Sequence, residues 1–526
     1  MRDFHTPGRS GVFSVNGMCA TSHPLAAREA VAIMEAGGNA MDAAIAAAVL
    51  LGICEPGSTG IGGDMFALIR PAGEDRIVGF NASGRAPRAL DAALLRDQGV
   101  TVIGTESPHA ATLPGAIDGF CKLAEDWGRK GLAASLAPAI RYADEGVPVA
   151  PRTAFDWKNN GGKLKGDGAK FYLDNGAPFA VGSIFRAPGQ AEVLRRVAKN
   201  GRAGFYEGEV MEDMVDSLRA LGGLYDAEDF AATKSEYCDP VSATYQGLEL
   251  VELPPNGQGV TALLIAKILS HFDVASMDPY GAEIAHLEAE ATKLAYDARN
   301  RFVGDPATAQ TDRMLSDEAA ARLAALIDMN RAMPTPPPGA GAAHKDTVYL
   351  TTADRDGMVV SMIYSIFHGF GTGLASAKFG INFQNRGAGF VLTEGHPNEL
   401  KGGKRPLHTI IPAMIRKEGK LFASYGVMGG QYQSTGHVRV LSNIVNFGMD
   451  PQEALDAPRC FAELADGKLH IERGYGAEVR AALEAKGHVL HTPDTPIGGA
   501  QMIRLHESGV YEGASDPRKD GAAIGY

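Results

Sequence analysis

Thr347 stands where a single residue could serve as both nucleophile and base, provided that its own α-amine were set free. Upstream, Pro334-Thr335-Pro336-Pro337-Pro338-Gly339 reads as an exposed, irregular segment. Past His344-Lys345-Asp346 the pattern switches. Val348, Leu350 and Thr352 alternate with Tyr349, Thr351 and Ala353, then Asp356-Gly357 makes a turn and a second run begins at Val359. Two readings fit. Thr347 is β-branched and suits the first residue of a strand. Alternatively the Asp346–Thr347 bond breaks, the hydroxyl attacks, and the new α-amine, with an ordinary pKa of roughly 7.7–8.0, takes the proton near neutral pH. Spacing alone leaves both open.

The surrounding chain supplies strands and helices to hold such a residue. Helical periods cover 25–35 and 41–52, separated by Gly37-Gly38-Asn39, and their small side chains predict close packing on a core. A glycine-dense loop, Glu55 to Asp64, enters a strand over 65–69; a second strand is expected over 77–82. Helices are expected over 119–127, 132–144, 190–200 and 209–221, then a strand over 248–253 and a helix over 260–269. The period over 282–302 is one long helix, with Glu288, Glu290, Lys293, Asp297 and Arg301 expected on a solvated face. After Thr347, strands are expected over 348–354, 358–366, 378–384, 411–416 and 421–427, and a helix over 436–447. Gly429-Gly430 follow that last strand and allow close backbone approach, or make a plain turn.

Composition excludes several classes. The net charge of −12 argues against a nucleic-acid partner. No run approaches the length of a membrane span, and residues 1–16 lack the apolar core of a secretory signal, so a cytoplasmic location is expected. The five cysteines are far apart with no CxxC pair, and the fourteen histidines show no HExxH spacing, so neither disulfides nor a metal is expected. Gly60-x-Gly62 lacks the third glycine and the preceding strand of a dinucleotide site. No cofactor is expected.

Several motifs in one order carry a resemblance. They are Ser22-His23-Pro24-Leu25-Ala26, Gly37-Gly38-Asn39-Ala40-Met41-Asp42-Ala43-Ala44, Gly60-Ile61-Gly62-Gly63-Asp64, Leu113-Pro114-Gly115, Gly304-Asp305-Pro306, Lys404-Arg405-Pro406, Gly429-Gly430 and Asp516-Pro517-Arg518-Lys519-Asp520-Gly521-Ala522-Ala523. From about Ala20 to Tyr526 the chain resembles the γ-glutamyltransferase (glutathione hydrolase) family of N-terminal-nucleophile (Ntn) hydrolases. The resemblance implies an α+β fold, the Ntn-hydrolase αββα sandwich, built as one domain from segments 1–346 and 347–526. It implies self-cleavage before Thr347, Thr347 as nucleophile, Ser365 where the family has an assisting threonine, and Gly429 and Gly430 as the oxyanion glycines.

Specificity is where the chain departs from glutamate-reading members. Their carboxylate-binding arginine matches Ser83, with Arg85 two residues on; their asparagine beyond the assisting threonine matches Phe367. Their acidic residue for the α-amine matches Gly389, next to Arg386 at a polar position, and their serine pair matches His408-Thr409. The short segment 394–403 implies no lid. An arginine in place of an acid should disfavour an ammonium and admit a carboxylate. The pattern looks like the branch that includes oxamate amidohydrolase. The expectation is therefore an αβ heterodimer, its further pairing left open, that hydrolyses a small carboxylate-bearing amide. A γ-glutamyl hydrolase or transferase, a glutaryl- or cephalosporin-type acylase, and a non-catalytic binding relative are the alternatives.

Overall fold

The computed structural model describes residues 8–336 and 347–526; the expected cleavage junction and the linker residues 337–346 lie outside them. The alternation after Thr347 sets the layers. Val348 and Leu350 point into a core shared with helices, and Thr352 Oγ1 donates to the Ala40 carbonyl at 2.8 Å. Tyr349 and Ala353 point the other way, into a core between two sheets, where the Thr351 and Ser424 hydroxyls meet at 2.7 Å. A strand whose two faces are both buried must be central, and this one is.

Residues before the linker supply β1 (Val12–Ser14), β2 (Met18–Thr21), β3 (Asp64–Arg70), β4 (Val78–Ala82), β5 (Glu236–Cys238), β6 (Val241–Tyr245) and β7 (Leu248–Glu252). Those after it supply β8 (Val348–Ala353), β9 (Val359–Ser365), β10 (Ala413–Lys417), β11 (Lys420–Met428), β12 (Gly499–Leu505), β13 (Tyr511–Ser515) and β14 (Ala522–Gly525). They form two seven-stranded sheets, ordered β1-β13-β12-β11-β10-β7-β6 and β14-β2-β8-β9-β3-β4-β5. Each sheet mixes strands from both sides of the linker. All of these pairings are antiparallel.

Helices cover both outer faces, giving an αββα sandwich. Over β8 and β9 lies Ala40–Cys54, apolar on every side and buried at all 15 positions. Asn39 and Asp42 cap it reciprocally, and Asp354 Oδ2 accepts a further bond from the Ala40 N–H at 2.8 Å. Gly259–Leu269 and Gln433–Val445 cover the other sheet. Among the described residues no helix is long and apolar enough to cross a membrane.

Two sequence expectations fail. The run 378–384 is no strand; it makes only an isolated bridge, Ala375 with Asn382. Phe379, Ile381 and Phe383 do enter the core, but as a loop closed on Ser376, with left-handed Gly380 seated against the Phe171 ring. Nor is the charged side of Ala282–Phe302 a solvated face. Glu288, Glu290 and Lys293 are at most 5% exposed. Glu288 takes Arg439 Nη1 at 3.1 Å, Lys293 bonds Glu290 at 2.8 Å, and only the Asp297–Arg301 pair stays outside. The small sheet Cys460–Glu463, Lys468–Ile471 and Leu490–His491 follows Ala282–Phe302 in the fold and helps cover that side, a tertiary fact that periodicity does not carry.

Candidate active site

Three neighbouring strand ends meet at one point. The register Val348↔Tyr364 sets Thr347, fully buried, beside Ser365 at the end of β9. Ser365 in turn faces Asp64, the first residue of β3. The glycine-dense loop makes this approach possible: a Cβ on Gly63 would lie 2.5 Å from the Ser365 carbonyl oxygen, so no larger residue fits there. By strand parity Thr347 lies on the face with Tyr349, toward the second sheet and the end of β11.

At that end the chain turns at Gly429, with φ 115°. A Cβ there would sit 2.7 Å from the Gly498 Cα, so side chains are excluded by conformation and by space. Gly430 follows and opens a short turn into Gln433–Val445.

Arg386 is fully buried and carries no ion pair among the described residues. Its Nη1 donates to Thr409 Oγ1 at 2.8 Å and its Nη2 reaches Ser365 Oγ at 3.4 Å. The guanidinium lies 4.0 Å over the ring of Phe367, itself held at φ 79°. Its Nε has no hydrogen-bond partner among the described residues. Burial pushes its pKa down to about 9, against the field of Asp64. Ser365 Oγ also accepts the Phe367 N–H at 2.9 Å.

Asp64 acts on Arg386 through its field but makes no ion pair with it, its oxygens being hydrogen-bonded by other donors. Oδ1 accepts from the Gly84 and Gly115 N–H groups and from Gln384 Nε2, at 2.8, 3.2 and 2.8 Å. Oδ2 lies 3.1 Å from His408 Nε2. Burial first, and then Arg386, push the His408 pKa down to about 3. The ring is therefore neutral, with Nε2–H donating. Its folded pKa lies below the usual value near 6.5, so this group's contribution to stability is complete above pH 6.5 and is lost as pH falls toward 3. The expected observation is that the His408 ring nitrogens in an ¹⁵N NMR titration do not titrate between pH 5 and 8.

The remaining expected residues fall in two places. Ser83 Oγ donates to Asn81 Oδ1 at 2.7 Å, in a buried knot with Asn256 that adjoins Asp64 through Gly84. Arg85 points elsewhere: its guanidinium bonds Glu236 at 3.1 Å and the Gly403 carbonyl at 3.0 Å, and a third of its side chain is exposed. The structure does not bring Arg85 together with Arg386 and Ser365. The Gly389 carbonyl accepts Asn398 Nδ2 at 2.6 Å.

Four residues of the site had no role assigned from sequence: Asp64, Gln384, Gln258 and Arg299. Asp64 carried a signal, a charged residue closing a glycine run at the start of an apolar strand. Gln258 Nε2 donates to the Thr409 carbonyl at 2.7 Å and the Gly430 carbonyl at 3.1 Å, and its Oε1 accepts Arg299 Nη1 at 2.7 Å. Only the fold joins them.

Among the described residues one cluster, away from this site, could in principle hold a metal: His286, Glu290 and His488. Its atoms are already engaged. His286 Nε2 faces the Asp328 carbonyl, so it donates and Nδ1 accepts from His488 Nε2, at 2.9 and 2.8 Å. Glu290 takes Lys293 Nζ and the Met333 N–H, at 2.8 Å each. Lys293 Nζ also donates to the Met333 carbonyl at 2.9 Å, so the cluster fastens the chain just before the linker.

Comparison with known proteins supplies the frame. A profile of the family described as gamma-glutamyltranspeptidase matches residues 26–526. The oxamate amidohydrolase proenzyme of Klebsiella pneumoniae subsp. pneumoniae is 34% identical, over 98% of this chain and 99% of its own. The glutathione hydrolase-like YwrD proenzyme of Bacillus subtilis is 32% identical over the same shares. Among solved structures, the cephalosporin acylase from Bacillus halodurans superposes with a TM-score of 0.92 at 37% identity, covering 100% of this chain and 99% of that one.

Proposed function

The chain belongs to the γ-glutamyltranspeptidase family of Ntn hydrolases and is a self-processing amidohydrolase; from that premise we propose that Thr347 is its nucleophile and a small carboxylate-bearing amide, oxamate-like, its substrate. The observation that carries the substrate reading is Arg386, a buried guanidinium that, among the described residues, has an unpartnered Nε and no ion-paired carboxylate, set beside Ser365 and Thr409. A charge left unpaired in the interior is costly, and a substrate carboxylate would complete it.

In the precursor, the Thr347 hydroxyl attacks the Asp346 carbonyl, the C–N bond breaks, and an ester forms. Water hydrolyses the ester, leaving the Asp346 carboxylate, a free hydroxyl and a free α-amine on Thr347. In the mature site the amine takes the hydroxyl proton as the oxygen attacks the substrate amide. The proton then passes to the departing nitrogen, which leaves as ammonia, and water cleaves the acyl ester. Gly429 and Gly430 offer backbone donors to the oxyanion, an effect worth roughly 10²–10³ per donor. Both sheets interleave strands from the two segments, so the cut chains stay together as an αβ heterodimer.

A γ-glutamyl group brings an ammonium to a site that holds the buried Arg386 guanidinium and whose amine-side position is Gly389. Such like-charge contact costs several kcal/mol. The acylase reading has one observation in its favour: a recess beside Gly429, lined by Tyr432, Phe461, Pro496 and Ile497 together with the polar Glu463 and His470, could take a larger acyl or leaving group. Parallel assays of oxamate, γ-glutamyl-p-nitroanilide and a glutaryl amide separate the readings. The expected order has oxamate first by at least tenfold in kcat/KM; a γ-glutamyl or glutaryl substrate in first place overturns the proposal.

A further inference from the structure

Thr409 is joined to the site on two sides. Its hydroxyl takes Arg386 Nη1, and its carbonyl takes Gln258 Nε2. The same Nε2 holds the Gly430 carbonyl, so one amide group ties the carboxylate anchor to the oxyanion loop. Gln258 is itself fixed. It is fully buried, its backbone N–H donates to the His408 carbonyl at 3.0 Å, and its Oε1 receives Arg299. The amide orientation follows from its partners: two carbonyls face Nε2 and a guanidinium faces Oε1. Arg299 Nη1 also bonds Gln431 Oε1, so it grips residues on both arms of the bridge.

Arg299 is a second buried guanidinium whose hydrogen bonds go to neutral oxygens: Gln258, Gln431 and Asn300. The guanidinium also lies 4.3 Å over the Tyr296 ring and within the field of Glu463, which favour its charged form. Behind the oxyanion loop, that charge favours a negative oxygen at Gly429–Gly430.

We propose that Gln258, braced by Arg299, is a positioning residue that fixes the separation between the Arg386–Thr409 anchor and the oxyanion glycines, and thereby selects for the shortest acyl chain. The inference rests on the reading of Arg386 as the carboxylate anchor. In a two-carbon acid amide the carboxylate carbon is bonded directly to the carbon under attack. No torsion along the chain can absorb an error in spacing. Longer acids have such torsions and tolerate a shift.

The test uses the full-length chain as Gln258→Met, which keeps length and volume but cannot donate, and Arg299→Lys, which keeps charge but draws the donor back from Gln258 and Gln431. Self-cleavage is followed on gels, and kcat and KM are measured for oxamate, malonamate and succinamate. In Gln258→Met, self-cleavage slows and kcat on oxamate falls about 30-fold or more, with KM within about threefold, because a positioned oxyanion donor acts on the transition state. The kcat loss shrinks as the acid lengthens. Arg299→Lys moves each quantity the same way by less, and serves alone if Gln258→Met does not fold. Wild-type self-cleavage and kcat in folded variants overturn the proposal, and so does a kcat loss equal for all three acids, which marks a merely structural role. The anchor reading is judged separately, on the KM of Arg386→Gln.

Discussion

Thr347→Ala is expected to remain a single polypeptide of 526 residues with no measurable turnover on any amide. One hydroxyl is asked to do both jobs, opening the Asp346–Thr347 bond and then attacking substrate, so its loss removes both at once. The fold should survive. Alanine fits the first position of a buried strand, and removing one buried hydroxyl and methyl costs about 1–2 kcal/mol, a small part of what two interleaved seven-stranded sheets supply. Intact mass and circular dichroism check both halves. Thr347→Ser keeps the hydroxyl and is expected to cut itself, more slowly. Cleavage in the alanine variant would remove Thr347 from the chemistry.

Arg386→Gln is expected to raise KM for oxamate by about 30-fold to 4,000-fold, since truncating one side of a buried, hydrogen-bonded charge pair costs about 2–5 kcal/mol and each 1.4 kcal/mol is tenfold. The effect is on binding because the substrate carboxylate is present in both ground and transition states. Arg85→Gln is the contrast. Its guanidinium is already engaged by Glu236 and Gly403 at a half-open surface, so KM should move by less than about threefold, as for an exposed pair. If the two variants exchange these behaviours, the anchor lies on the Ser83–Arg85 side of Asp64.

The strands around Thr347 were legible because each alternates between two buried faces, and the glycine stop at Gly37-Gly38-Asn39 marked the helix that caps over them. Where local pattern and tertiary packing diverged, the sequence misled. Phe379, Ile381 and Phe383 alternate like a strand, yet left-handed glycines at 371, 373 and 380 route that stretch as loop. Glu288, Glu290 and Lys293 share a helix side with charges, but their partners, Arg439 and the Met333 backbone, come from distant parts of the chain. The site shows the same limit. Arg85 and Arg386 are equally plausible on paper; only burial, the Phe367 ring and the commitment of Glu236 to Arg85 separate them. Gln258 and Arg299 lie 151 and 110 positions from Thr409, and nothing local to either announces the bridge.

The central claim, that an N-terminal Thr347 forms an ester with a small carboxylate acyl group, is tested most directly by rapid-quench mass spectrometry of wild-type protein mixed with oxamate. The account predicts two fragments, 1–346 and 347–526, with the adduct confined to the second and mapping to its first residue. An unbroken chain, an adduct elsewhere, or an adduct seen only with a γ-glutamyl donor would contradict it.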